Sequence, residues 1–286
     1  MKAYTSNNIR NIAVLGHGGK GKTTLCEAML YIAGASDRLG RVADGNTVLD
    51  FDSEEKRRKS SVSSAIAALE WDNTKLNIID APGLFDFEGG AAEAVRAAEA
   101  VLIVTSAGSG VDVGTEKAFR AAEKKGAAKF FAVTKTDSDH RNFYKTFDAL
   151  KEVYGNKLCP TIIPYMEGNI TKCYVNLMTG MAFSYDENGK ATKVPVPEDS
   201  VIEEMTSAFM EAVATTDDAL MEKFFEGEKF TKEEILKGLC IGIFDGSIYP
   251  VYAVSGLTCA GVDQLLYGLA WSAPGAFGYA GEKCTY

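Results

Sequence analysis

Short apolar runs alternate with amphipathic stretches along most of the chain. Residues 11–15 (NIAVL), 75–79 (KLNII), 101–106 (VLIVTS), 129–134 (KFFAVT) and 249–254 (YPVYAV) are too short for helices and carry few polar positions. They read as strands buried on both faces, the pattern of parallel sheets. Residues 22–31, 88–100, 113–125, 142–154 and 262–271 carry helical spacing between or beside them. This order predicts a doubly wound α/β fold, a mostly parallel sheet with helices on both faces.

The alternation breaks between residues 158 and 245. Short strand-like pieces surround the turn DENGK (186–190), and acidic helical stretches follow over 197–227 and 231–239. The strand at 249 then resumes the earlier pattern. The expected organisation is one α/β domain over 1–157 and 246–271, a small α+β inserted subdomain over 158–245, and a tail over 272–286.

Composition narrows the class. The 286 residues are 46% apolar and 24% charged, enough apolar content for a sizeable core, which excludes disordered and fibrous chains. Acidic residues outnumber Lys and Arg by 39 to 30, a net charge of −9, so a chain that coats nucleic acid over most of its surface is disfavoured. Six scattered cysteines, with no CxxC pair and only His17 and His140, point away from zinc or iron–sulfur sites and toward a reducing compartment. The first ten residues lack the basic-then-apolar order of a signal peptide, and no apolar stretch reaches the ~20 residues of a membrane span. A cytoplasmic protein with no membrane partner is expected.

The strongest chemical signal is Gly16-His17-Gly18-Gly19-Lys20-Gly21-Lys22-Thr23, followed by Thr24, which fits the phosphate-binding pattern GxxxxGK[ST]. Glycines let backbone N–H groups wrap a phosphate. Lys22 offers a point charge to the β and γ phosphates, and the Thr23 hydroxyl suits Mg²⁺. A buried strand precedes the loop and a helix follows, so the helix N-terminus faces the anion. The bland alternative is a glycine-rich turn without a ligand; the strand–loop–helix context favours the P-loop NTPase reading.

Such a loop does not choose between ATP and GTP. Asp80-Ala81-Pro82-Gly83 ends a strand as a DxxG element, in which the carboxylate can hold a Mg²⁺-bound water and the Gly83 N–H can reach a γ phosphate. Taken alone, DxPG is also an ordinary turn. Thr134-Lys135-Thr136-Asp137 has the form [NT]KxD, and the Asp137 carboxylate can accept two hydrogen bonds from guanine N1–H and N2–H₂, which adenine cannot supply. Ser255-Gly256-Leu257 follows the last strand, where a backbone N–H could meet guanine O6. Each element is weak, but all fall at carboxyl ends of strands, where open α/β sheets bind ligands.

With these motifs in place, the chain resembles the GTP-binding domain of translational GTPases, specifically elongation factor G and elongation factor G-like proteins. The resemblance runs through RNIAVLGHGGKGKTTLCEAML, EEKRRKSSVSSA, NIIDAPGLFDF, TKTD and PVYAVSGLTCAGVDQLL. It implies bound GTP or GDP with Mg²⁺, hydrolysis of GTP to GDP and phosphate, and the ribosome as partner of a longer, monomeric factor with no sequence-specific nucleic acid. The acidic charge then belongs to one part of that factor. Lys22 and Thr23 correspond to the family's phosphate lysine and Mg²⁺ ligand, Ser61 to its first-switch Thr, and Asp80 and Gly83 to its second switch. Lys135 corresponds to the residue whose stem packs along the base. Thr134 replaces the family Asn that ties the base site to the phosphate loop, which implies weaker affinity with specificity left to Asp137.

Leu84 is the departure of most consequence. The family carries a His there that helps place the attacking water, and an isobutyl group can neither donate nor accept a hydrogen bond. The resemblance therefore implies slow intrinsic hydrolysis; two alternatives are a GTP-binding module with little or no hydrolysis and an ATP-dependent P-loop enzyme. His17 lies in the phosphate loop, and a structural role is expected ahead of a catalytic one. The run 54–59 (EEKRRK) fits either a solvated face or a contact to RNA phosphates. The stretch with Glu222, Phe224 and Phe225 is expected to turn its aromatics inward.

Overall fold

A computed structural model describes residues 2–138, 142–168 and 170–276. His140 and positions 277–286 of the expected tail lie outside the described residues.

In chain order the elements are β1 (Ile9–Leu15), α1 (Lys22–Ile32), α2 (Ser53–Arg58), β2 (Ala65–Trp71), β3 (Thr74–Asp80), α3 (Glu88–Ala97) and β4 (Ala100–Ser106). Next come α4 (Val113–Lys125), β5 (Ala128–Thr134), α5 (Phe143–Tyr154), β6 (Leu158–Glu167), β7 (Ile170–Asn176), β8 (Met181–Tyr185) and β9 (Ala191–Val194). The chain closes with α6 (Ser200–Ala214), α7 (Asp218–Glu226), α8 (Lys232–Asp245), β10 (Tyr249–Ala253) and α9 (Val262–Ser272).

All of these strands join one sheet in the order β2-β3-β1-β4-β5-β10-β6-β7-β8-β9. β3, β1, β4, β5, β10 and β6 run parallel, while β2 at one edge and β7, β8 and β9 at the other are antiparallel. β4 and β5 are buried along their whole lengths, as their unbroken apolar runs require. Helices α1, α9 and α8 touch one another along the sheet, and α3 touches α4 over β1, β4 and β5. One contiguous core results, with Phe130, Phe131, Phe143 and Phe147 among its largest side chains.

The structure refines three sequence expectations. β2 was not expected: its sequence AIAALEW alternates exposed positions with half-buried ones, Leu69 alone being fully buried, as an edge strand does, and Ile66 faces out. Helix α3 stops at Ala97, short of the expected 100, because Glu99 N–H already bonds the Asn11 carbonyl and Ala100 begins β4. The segment 158–245 opens with β6, which pairs in parallel with β10, so the sheet continues into that segment without a break.

Two side-chain expectations also meet the structure here. In α7, Phe225 is 79% exposed, which corrects the inward-facing reading; only Phe224 is half-buried. In α2, Glu54 accepts from Arg57 and Arg58, so part of the basic run is neutralised within its own helix.

Candidate functional site

The loop between β1 and α1 is shaped by glycines, two of which hold geometry that a side chain would strain. Gly16 lies at φ +142°, and a Cβ there would stand 2.2 Å from the Val104 carbonyl oxygen of the neighbouring strand. Gly21 caps α1 in the left-handed region at φ +89°. Lys22, buried at the first position of α1, donates its Nζ to the Gly16 and His17 carbonyls, each at 3.1 Å. Burial lowers its pKa, and the nearby Asp80 carboxylate opposes that shift.

The end of β3 meets this loop. Thr23 Oγ1 donates to Asp80 Oδ2 at 2.6 Å and lies 3.0 Å from Ser61 Oγ. Ser61 Oγ in turn donates to Asp50 Oδ1 at 2.7 Å. Asp80 Oδ1 and Asp50 Oδ2 are buried without a hydrogen-bond partner. Burial pushes the Asp80 carboxyl up to about 7, against the Thr23 hydrogen bond and the Lys22 charge; Asp50 is raised by burial as well. Buried carboxylate oxygens left unpaired beside two hydroxyls fit a hard divalent cation, which takes oxygen ligands. Among the described residues, no three His, Cys, Asp or Glu side chains converge as a metal site. A cation here would therefore take part of its shell from a ligand or water.

Asp50 was not singled out from the sequence. It sits in the irregular stretch before α2, where no motif marks it. Its place is set by Glu27 of α1, a fully buried carboxylate that accepts N–H groups from Val48 at 2.8 Å and Leu49 at 2.9 Å. Glu27 lies four positions after Thr23, and nothing in the sequence marks it as buried.

Gly83 approaches the loop closely. A Cβ there would stand 2.9 Å from both Gly18 N and Gly16 O, so only glycine permits the contact. Leu84 follows, 40% exposed, with its side chain against Gly18. His17 packs edge-on against Phe85 at 5.7 Å, and its Nδ1 is buried without a partner. Lys20 Nζ leaves the loop to pair with Asp112 and Ser109, each at 2.8 Å, anchoring it to the β4–α4 connection.

The end of β5 supplies the second wall. Thr134 Oγ1 shares its proton between the Lys20 carbonyl at 2.6 Å and the Thr105 carbonyl at 3.0 Å. Lys135 adopts φ +60° and donates Nζ to the Gly19 carbonyl at 2.7 Å, lying across the loop. Asp137 is exposed just beyond. After β10, Ser255 is buried with its N–H on the Ala260 carbonyl, and a Cβ on Gly256 would stand 3.0 Å from the Thr24 carbonyl. Leu257 is exposed.

Gly18, Lys22, Thr23, Ser61, Gly83 and Lys135 line a common cavity of about 170 Å³, and Asp50 shares it. Asp137 and the 255–257 turn stand outside that lining, beyond the Thr24 and Lys135 end. The carboxyl ends of β1, β3 and β5 thus bring Lys22, Thr23, Asp80, Thr134 and Lys135 together through direct hydrogen bonds, while Asp137 and the turn after β10 stand beside the cavity rather than in its lining.

A glycine-shaped loop between a buried parallel strand and a helix, in this sheet, defines a P-loop NTPase fold. The chain belongs to the family of the Elongation factor Tu GTP binding domain, whose sequence profile matches residues 7–274. It is 33% identical over 261 residues to the Elongation factor G-like protein of Mycobacterium tuberculosis, in strain CDC 1551 / Oshkosh and in strain ATCC 25618 / H37Rv; the match covers 90% of this chain. A crystal structure from Thermus thermophilus superposes with a TM-score of 0.87 at 35% identity, over 94% of this chain. The chain spans 36% of the length of those relatives and 41% of that crystallised chain. Among the described residues, no helix is long and apolar enough to cross a membrane.

Proposed function

We propose that this domain binds GTP and GDP with Mg²⁺ and hydrolyses GTP to GDP and phosphate, as the ribosome-coupled switch of a longer elongation factor G-like protein. The observation that carries the proposal is the Thr23–Asp80 hydroxyl–carboxylate pair, with its unpaired Asp80 oxygen, beside the buried Lys22. In this reading the loop N–H groups and Lys22 bind the phosphates. Thr23, Ser61 and Asp80 hold the cation, with Asp50 orienting Ser61. Mg²⁺, when bound, neutralises charge on the β and γ phosphates. Gly83 N–H faces the γ phosphate, Lys135 packs along the base, Asp137 reads guanine, and Ser255 to Leu257 close over its O6 edge.

Leu84 beside Gly18 has no atom to orient water, so intrinsic hydrolysis is slow and waits on the ribosome. The same reading divides the chain into a GTP-binding domain over 1–157 and 246–271 with 158–245 inserted, working as a cytoplasmic monomer. Membership of a GTP-binding family weighs against the ATP reading. Phosphate release from GTP, with and without ribosomes, tests the proposal on the longer factor. Release stimulated by ribosomes and abolished by EDTA is expected; no release under any condition overturns it.

A further inference from the structure

Thr136, the variable position of the TKTD motif, is a buried polar residue whose partners lie outside that motif. Its hydroxyl lies 3.0 Å from the Val254 carbonyl and 2.7 Å from the Tyr174 hydroxyl. A carbonyl only accepts, and a threonine hydroxyl has one proton. Thr136 therefore donates to Val254, and Tyr174 donates to Thr136. Val254 directly precedes Ser255, Gly256 and Leu257, and Thr136 stands between Lys135 and Asp137. The relay Tyr174–Thr136–Val254 thus joins β7 to both loops that end beside the candidate base site.

We propose that Tyr174 is a positioning residue for base recognition: its hydroxyl, acting through Thr136, holds the 134–137 and 255–257 loops in one arrangement. The proposal rests on the guanine reading above and extends it into the segment 158–245, where none of the nucleotide motifs lies.

Three further observations support it. Lys135 sits in the left-handed region at φ +60°, a conformation that a side-chain-bearing residue keeps only where its neighbours over-determine it. Thr134 fixes it on one side through Lys20 and Thr105, and Thr136 on the other through Val254 and Tyr174. Thr171, also in β7, donates its hydroxyl to the Thr136 carbonyl at 2.9 Å, a second tie from the same strand.

Tyr174 is also placed firmly enough to act as a fixed post. It is 4% exposed, and the Tyr185 ring meets it edge-on at 5.5 Å. Tyr185 donates its hydroxyl to Asp263 at the start of α9, at 2.7 Å. A Cβ on Gly261 would lie 3.5 Å from the Tyr174 ring. Burial raises both phenols, which keeps each a donor at neutral pH.

The test uses the chain as described, with Tyr174→Phe, Thr136→Val and the double variant. Affinities for GDP, inosine diphosphate and ADP are measured by competition against a fluorescent GDP. Inosine diphosphate lacks the 2-amino group that a well-placed Asp137 would bind. Each single variant is expected to lower the preference for GDP over inosine diphosphate by about fivefold, the worth of one hydrogen bond, and the double variant no further.

A change in fold stability alone would leave that preference unmoved. An unchanged preference in a folded single variant, or additive losses in the double variant, overturns the inference while leaving the guanine reading intact. Equal GDP and ADP affinities in the unsubstituted chain overturn the guanine reading itself. Should Tyr174→Phe fail to fold, Thr136→Val removes the same bond from its other side and carries the test.

Discussion

The Thr134 hydroxyl reaches the Lys20 carbonyl at 2.6 Å, across 114 positions of sequence. This bond ties the end of β5 to the phosphate loop, the connection that the replacement of Asn by Thr put in question. A hydroxyl makes it with one proton shared with Thr105, where an amide would bring two donors. Thr134 supplies one tie, beside the Lys135 bond to the Gly19 carbonyl.

Thr134→Val keeps the volume and removes the proton. The Lys20 carbonyl then loses this donor, at a cost of about 1 kcal/mol. GDP should dissociate about fivefold faster from the variant. Stopped-flow dissociation of a fluorescent GDP checks this, and an unchanged rate would mean that Lys135 and Gly19 hold the wall unaided.

Asp80 makes stability depend on pH with a definite sign. Its folded pKa is raised from 3.8 to about 7, so between those values the folded chain holds a proton that the unfolded chain has released. The contribution is complete below about pH 3.8 and lost as pH rises through 7, at up to about 1.4 kcal/mol per pH unit. Asp50 and Glu27, also raised by burial, add the same sign. Urea midpoints of the nucleotide-free chain in EDTA should therefore fall from pH 5 to pH 7.5. Asp80→Asn should flatten that slope; equal slopes would contradict the assignment. Mg²⁺ with nucleotide favours the ionised carboxylate, so the dependence should weaken when both are present.

Much of this fold was legible because its strands are unbroken apolar runs. β4 and β5 matched their expected ranges within a residue, since strands buried on both faces leave no alternation to misread. β2 was missed because an edge strand that buries only Leu69 resembles a loop in a switch-like segment. Motif residues such as Lys22, Thr23, Asp80 and Thr134 converge as their spacing suggested. Asp50, Glu27 and Tyr174 escaped notice because their roles depend on which distant groups they meet. A lone acid or tyrosine carries no local pattern for that.

Leu84 lies against Gly18 and has no polar side-chain atom, and in the proposed reading it takes the position of the water-orienting His that the resemblance implies. Leu84→His should raise the rate of phosphate release from GTP by about a hundredfold, the lower end of the usual contribution of a positioned acid–base group. A phosphate-release assay at saturating GTP and Mg²⁺ measures it. Equal rates would show that Leu84 does not limit hydrolysis.

Thermal unfolding tests whether a guanine nucleotide is held by Lys22, Thr23 and Asp80 and read by Asp137. With Mg²⁺ and nucleotide at about a hundredfold its Kd, GDP should stabilise the chain by about 2.7 kcal/mol and raise Tm by about 5 °C or more. ADP at the same concentration should leave Tm unchanged, and Asp137→Ala should remove most of the GDP effect. Equal shifts with GDP and ADP, or none with either, would mean that the site does not select guanine.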